Sequence, residues 1–143
     1  MKWVTWENVG IDRMGCAWLI RTRIDPSAEF AFVREGSKEL PNGAEPFDVP
    51  GVKFSHHGGH CSFHAFVKEQ SLDDPILHRI AQIIDDADTF QDGTMESAAA
   101  GLDLICRGIR LISPDDRVAL ERGGLIYDAL YAQLQQDEGG GAP

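Results

Sequence analysis

The stretch Ser55 to His64, with the sequence SHHGGHCSFH, contains four of the chain's five histidines and one of its three cysteines. Gly58 and Gly59 stand at its centre, and glycine adopts backbone angles that are closed to other residues. We therefore predict a sharp turn that joins a strand ending near Ser55 to a helix beginning near Ser62. For function, the question is whether the imidazoles and the thiol of this stretch form a site.

The residues before this stretch predict a small sheet with one helix. Trp3 to Trp6, Ala28 to Val33 and Val52 to Ser55 are short runs of the aromatic and β-branched type that favours strands. Between the first two runs, Asp12 opens a helical pattern. That pattern ends at Asp25-Pro26, because proline disfavours a helical conformation in the residue before it.

The residues after the stretch predict helices. Three positions resemble helix starts, because each has a side chain that can cap a helix: Asp74, Thr94 and Ser113. Proline follows Asp74 and Ser113, as is common at the first position of a helix. Gly123-Gly124 predicts an interruption before a further helix. The expected fold class is α+β and helix-rich, with a small N-terminal β-sheet and one helix packed against a C-terminal bundle of about four helices.

Length and composition limit the possible functions. The 143 residues predict a single domain over residues 1–136, followed by a disordered acidic and Gly-rich tail over residues 137–143. A net charge of −10 makes nucleic-acid binding unexpected, and no apolar run is long enough to cross a membrane. The N-terminus lacks the apolar core of a signal peptide, so we expect a cytoplasmic protein. Three cysteines, an odd number with no Cys-x-x-Cys pair, predict free thiols rather than a disulfide framework. The composition is compatible with either a monomer or a homodimer.

The chemistry of the Ser55–His64 stretch allows two interpretations. Imidazole and thiolate are good ligands for zinc, iron or copper, and His56 at a strand end could converge with Cys61 at a helix start. The dipole of a helix N-terminus also lowers a cysteine pKa and attracts anions, which makes Cys61 a candidate nucleophile. The alternative is a His-rich surface turn in which Cys61 is a small buried hydrophobic residue.

Acidic residues in the helical half supply further candidate ligands. Asp86 and Asp88 stand at the end of a predicted helix, where carboxylates oppose the dipole unless a cation offsets them. Glu96 falls in the first turn of the next predicted helix. The more common interpretation of such residues is a solvated acidic helix end. His78 is expected to be exposed, and Cys106 is expected in the core.

Several short motifs, in order and over nearly the whole chain, resemble the C-terminal domain of chromate-resistance protein B. Four lie in the first half: Val9 to Arg21 (VGIDRMGCAWLIR), Ile24-Asp25-Pro26, Phe47 to Val52 (FDVPGV), and His56-x-Gly58-Gly59-x-Cys61-Ser62-Phe63. Three follow in the second half: Asp86-Ala87-Asp88, Glu96 with Ala99 to Leu102 (AAGL), and Tyr127 to Tyr131 (YDALY). His57, His60 and His64 do not match the family pattern.

This resemblance implies a domain of chromate-resistance systems and adds weight to the residues that match it. Implied as metal ligands are His56, Cys61, Asp86, Asp88 and Glu96. Implied at a pocket for a small ligand or an oxyanion such as chromate are Asp12, Arg13 and Trp18. The leading hypothesis is a metalloprotein with iron or zinc that acts in the response to chromate or in its detoxification.

Two further hypotheses remain beside it. One is a thiol or redox enzyme that uses Cys61 or Cys16 as its nucleophile, which requires a thiolate at neutral pH. The other is an oxyanion sensor or interaction module that has no catalytic activity.

Overall fold

The computed structural model describes residues 1–88 and 96–139, with Asp88 described by its backbone alone. The elements run in the order β1 (Lys2–Trp6), α1 (Ile11–Leu19), a π-helical segment (Ile20–Ile24), β2 (Glu29–Val33), β3 (Glu45–Pro46), α2 (Ser62–Glu69), α3 (Pro75–Asp88), α4 (Ala98–Ile112) and α5 (Asp116–Gly139). A small sheet and α1 pack against a bundle of helices, which confirms the predicted helix-rich α+β class.

The sheet has the strand order β2-β1-β3, and both pairings are parallel. Trp3 of the central strand pairs with Phe30 of β2, and Val4 pairs with Pro46 of β3. Two parallel neighbours need a crossover connection, and α1 provides it between β1 and β2. This arrangement places the first turn of α1 close to the loop that follows β3.

The predicted strand over residues 52–55 is wrong, because the third strand is Glu45–Pro46 and the later residues form a turn. The Ser55 hydroxyl donates to the Val52 carbonyl at 2.6 Å, which closes the turn. Phe54 makes a single bridge to Phe47 and stacks on Phe66 with 4.2 Å between ring centroids. The apolar character of this run therefore reflects packing against α2 rather than strand pairing.

Local hydrogen bonds test two of the predicted helix starts. The Asp74 carboxylate accepts the Ile76 N–H at 2.9 Å, which confirms Asp74 as the cap of α3. The cap predicted at Ser113 is wrong, since Asp115 accepts the Val118 N–H at 2.9 Å and caps α5 instead. The Ser113 hydroxyl donates back to the Ile109 carbonyl at 2.6 Å and thus belongs to the end of α4.

The interruption predicted at Gly123-Gly124 is also wrong, because α5 continues through both residues. Gly123 lies against Met14 of α1, and a Cβ atom added there would stand 2.7 Å from the Met14 Sδ. The glycine therefore serves the close approach of α1 and α5. Gly124 meets no atom within 4 Å of such a Cβ.

A second glycine serves the same helix pair from the other side. A Cβ atom added to Gly15 of α1 would lie 2.9 Å from the Tyr127 hydroxyl oxygen. This buried hydroxyl donates to the Ile11 carbonyl at 2.7 Å, in the first turn of α1. The packing of α5 thus fixes where the first turn of α1 lies.

Several smaller expectations can be checked directly. Cys106 is buried and His78 is exposed, as predicted. The helix α5 extends to Gly139, three residues into the predicted tail, and residues 140–143 lie outside the described part, as does Thr94. None of the helices in the described part of the chain is long and apolar enough to span a membrane.

The glycine pair of α5 provides a matched test of this packing. Gly123→Ala is expected to lower the free energy of unfolding by about 1–3 kcal/mol, since the new methyl group collides with the buried Met14. Gly124→Ala is expected to raise it by up to about 1 kcal/mol, because alanine favours helix and meets no neighbour there. Urea denaturation of both variants measures the difference, and equal shifts in the same direction would contradict it.

Candidate functional site

The carboxylate of Asp12 holds the start of α2, although Asp12 itself belongs to α1. It is 4% exposed, and its two oxygens accept the Ser62 N–H at 2.8 Å and the Phe63 N–H at 2.9 Å. The N-cap residue Cys61 makes no side-chain capping hydrogen bond of its own. The first amides of a helix need acceptors, and a distant carboxylate supplies them here.

Asp85 of α3 completes the support of the same helix start. This residue is 3% exposed, and one carboxylate oxygen accepts the Cys61 N–H at 2.7 Å. The other oxygen lies 2.8 Å from the His60 Nδ1. Three consecutive backbone amides are thus held by two buried carboxylates from two other helices.

His56 lies beside the first of these carboxylates. Its Nε2 is 3.1 Å from the Asp12 Oδ2 and 3.5 Å from the Asp48 Oδ1, and its side chain is 45% exposed. Each of the three side chains offers one ligand atom, and these atoms all lie within 4.8 Å of one another. Within residues 1–88 and 96–139, this is the one group of three or more His, Cys, Asp or Glu with such geometry.

Asp48 is positioned by contacts on every side. Its Oδ1 accepts the Ser62 hydroxyl at 2.6 Å, and its Oδ2 lies 3.0 Å from the Arg13 Nε, although that N–H does not point at the carboxylate. Arg13 also donates from Nη2 to the Asp48 carbonyl at 3.1 Å. The Asp48 backbone has a φ of +51°, a conformation that costs energy for a residue with a side chain. The surrounding structure therefore over-determines where this carboxylate lies.

These side chains open onto a cavity of about 660 Å³. Asp12, Asp48 and His56 form part of its wall, and the remaining lining includes three arginines, Arg13, Arg107 and Arg110. Arg107 pairs with Asp103 at 2.9 Å. The guanidinium group of Arg110 makes no hydrogen bond or ion pair in the part of the chain that the structure describes. The cavity therefore combines a candidate cation site with guanidinium groups.

The structure brings together some of the residues predicted from the sequence. Asp12 and Arg13, which were predicted at a ligand pocket, line the same cavity as His56, which was predicted as a metal ligand. Asp48, the third member of the group, was not among the residues predicted as ligands. The one signal was its place in the turn-rich FDVPGV motif, where it is the only charged residue.

Cys61, Asp86 and Glu96, which were also predicted as metal ligands, do not belong to the group that contains His56. The Cys61 sulfur lies 3.7 Å from the Ala81 carbonyl oxygen and is buried. Asp86 accepts the Glu96 N–H at 2.8 Å, and the Glu96 carboxylate lies 3.6 Å from the Arg79 Nε. The side chain of Asp88 lies outside the described part. Of the four predicted ligands whose side chains the structure describes, only His56 belongs to the group of three.

Trp18, which was predicted in the ligand pocket, lies outside the large cavity. Its Nε1 donates to the Asp128 carboxylate at 2.8 Å, and the ring is 7% exposed. It stacks on Tyr127 and Phe63, with 5.8 and 6.4 Å between ring centroids. These contacts are those of a packing residue between α1, α2 and α5.

Both candidate nucleophiles lie in surroundings that oppose thiolate formation. Burial and the Asp12 carboxylate raise the pKa of Cys16 well above its usual value. Burial, Asp12 and Asp85 do the same to the pKa of Cys61. A helix N-terminus was expected to lower the Cys61 pKa, but the two carboxylates already occupy the amides that would stabilise a thiolate.

Comparison with known proteins shows to which family the chain belongs. The family model described as ChrB, C-terminal domain, matches residues 3–134. A curated relative named Protein ChrB, from Cupriavidus metallidurans, is 36% identical over 134 residues, which are 93% of this chain. The chain spans 40% of the length of that relative. No solved structure matches it. With a family match over nearly its whole length, the chain belongs to the ChrB C-terminal domain family.

Proposed function

We propose that this domain binds a transition-metal ion through Asp12, Asp48 and His56, and that it acts in the response to chromate or in its detoxification by binding the oxyanion beside that ion. The observation that supports it best is the convergence of two carboxylates and one imidazole, with ligand atoms within 4.8 Å of one another, in the wall of a 660 Å³ cavity. Family membership supplies the chromate context.

The surroundings of the three side chains favour a metal. Metal-ligating side chains are usually oriented by further hydrogen bonds, and here backbone amides orient Asp12 while the Ser62 hydroxyl orients Asp48. The partly exposed His56 gives an ion access from the cavity. Three protein ligands leave coordination positions for water or substrate, as in catalytic zinc sites. A set of imidazole and carboxylates suits iron or zinc.

The arginines explain how an anion would be tolerated beside two carboxylates. A divalent cation on Asp12 and Asp48 cancels their two negative charges. Arg13, Arg107 and Arg110 then outnumber the two remaining acidic residues of the lining, Glu35 and Asp103. The cavity thereby carries a small net positive charge, and guanidinium groups match the pairs of oxygens that tetrahedral oxyanions present. Metal binding thereby becomes the condition for tight oxyanion binding.

The metal assignment is tested through His56. Equilibrium dialysis against Zn²⁺, and against Fe²⁺ without oxygen, is expected to show that His56→Ala weakens the binding of one equivalent at least tenfold. The loss follows from removal of the only imidazole in the group. His78→Ala, which removes an exposed imidazole of α3, serves as the matched control and is expected to bind like the wild type. Metal that survives His56→Ala unchanged would remove His56 as a ligand.

The oxyanion assignment is tested through Arg110, which has no ion pair to lose in the described structure. Chromate and sulfate are expected to raise the melting temperature of the metal-loaded protein, since a ligand that binds only the folded state stabilises it. Arg110→Gln is expected to remove most of this shift, while the exposed Arg34→Gln, outside the cavity, keeps it. A full shift in Arg110→Gln, or none in the wild type, would contradict oxyanion binding here.

The thiol-enzyme alternative has less support, and its test is direct. Because burial and neighbouring carboxylates raise the pKa values of Cys16 and Cys61, and burial raises that of Cys106 to about 12, all three thiols stay protonated at pH 7. Iodoacetamide is expected to modify them only slowly in the native protein and rapidly after denaturation. Mass spectrometry follows the reaction, and fast native labelling of Cys61 or Cys16 would favour the thiol mechanism instead.

A further inference from the structure

Three histidines that match no family motif line a second cavity. This cavity measures about 460 Å³, and its wall includes His57, His60 and His64 together with Cys61. It shares no lining residue with the 660 Å³ cavity. The proposed function leaves these imidazoles without a role.

We propose that His60 and His64 bind a second transition-metal ion in this cavity, of the kind that prefers imidazole nitrogen, such as Cu²⁺, Ni²⁺ or Zn²⁺. This inference does not rest on the function proposed above, since it uses neither Asp12, Asp48 nor His56.

His60 has the environment of a metal-ligating histidine. Its Nδ1 lies 2.8 Å from the carboxylate of the buried Asp85. The carboxylate can only accept, so it fixes the proton on Nδ1 and leaves the lone pair of Nε2 free for a metal. Carboxylate–histidine–metal arrangements of this kind fix the orientation of the ring. Asp85 is itself held by the Cys61 amide, so the arrangement is rigid.

His64 supplies the second nitrogen. It lies four residues further along, in the first turn of α2, and its ring stacks on that of His60 with 4.1 Å between centroids and 19° between planes. In the described part of the chain, its ring nitrogens make no hydrogen bond.

The bound geometry requires one side-chain movement. A metal ion lies in the plane of each imidazole that binds it, whereas the two rings are stacked face to face. In the proposed complex the His64 side chain rotates so that one of its nitrogens faces the His60 Nε2, and the cavity of about 460 Å³ that both rings line is the space for this movement. Rotamer changes of this kind take place on the nanosecond scale in exposed side chains.

His57 is not assigned as a ligand, although it lines the same cavity. Its Nε2 lies 2.9 Å from the Lys53 carbonyl oxygen and 3.2 Å from that of Val52, so the ring is engaged in holding the turn. Lys53 and Lys68 also line the cavity, and Glu69, 4.0 Å from the Lys53 ammonium group, offsets one of these two positive charges.

The experiment uses the full chain carrying His56→Ala, so that the site proposed above cannot contribute. Titration with Cu²⁺, followed by electron paramagnetic resonance, is expected to show one bound equivalent with hyperfine coupling to two nitrogens. His64→Phe and His60→Phe each keep an aromatic ring at the stacked pair but remove its nitrogens. Each is expected to weaken binding at least tenfold and to reduce the coupling to one nitrogen.

His78→Ala in the same background is the matched control and is expected to leave affinity and spectrum unchanged. The proposal is overturned if both phenylalanine variants bind Cu²⁺ as their parent does, or if His78→Ala weakens binding as much as they do. Because every measurement is made without His56, failure here would say nothing about the Asp12–Asp48–His56 site.

Discussion

The buried carboxylate of Asp12 is the interaction on which the rest of this structure depends. An ionised carboxylate is costly to bury unless hydrogen bonds and charges compensate it. Asp12 is compensated by two backbone amides of α2 and by His56. These contacts join the first turn of α1, the first turn of α2 and the turn that carries His56. Removing this one side chain would leave the start of α2 and the turn that carries His56 without their common partner on α1.

The same carboxylate determines which chemistry the site favours. It occupies the helix start that would otherwise stabilise a thiolate at Cys61, and it raises the pKa of both neighbouring thiols. Nucleophilic cysteine chemistry is therefore disfavoured at the point where the sequence suggested it. The concentration of negative charge at Asp12 and Asp48 instead favours a cation.

The features that could be predicted from sequence are those with a local cause. The Asp74-Pro75 start of α3 follows from the preferences of adjacent residues, and so does the end of the π-helical segment at Ile24, just before Asp25-Pro26. Gly123 could not be interpreted locally, because its role depends on Met14 of another helix. The run over residues 52–55 resembled a strand because Phe54 is apolar, yet its partner is the ring of Phe66.

The residues of the candidate site also fall into those that could be predicted from sequence and those that could not. Four histidines in ten residues mark the region, and His56 could be selected by motif. Asp48 could not, since its position beside His56 depends on how the loop after β3 folds against α1. Asp86 and Glu96 were plausible ligands by charge, but each has found a nearer partner in its own part of the chain. Sequence thus locates the turn, whereas the ligand set requires the tertiary fold.

The way α2 is held also has a kinetic consequence. This helix has only eight residues, too few to be stable alone in water, and its first amides depend on carboxylates 50 and 24 residues earlier and later in the chain. Contacts of such separation form only after a large loop has closed. We therefore expect α2 to form after α1 and α3 have docked, and the histidine-rich turn to take its final shape late in folding. It is also the segment from which local opening of the native state would be expected to begin.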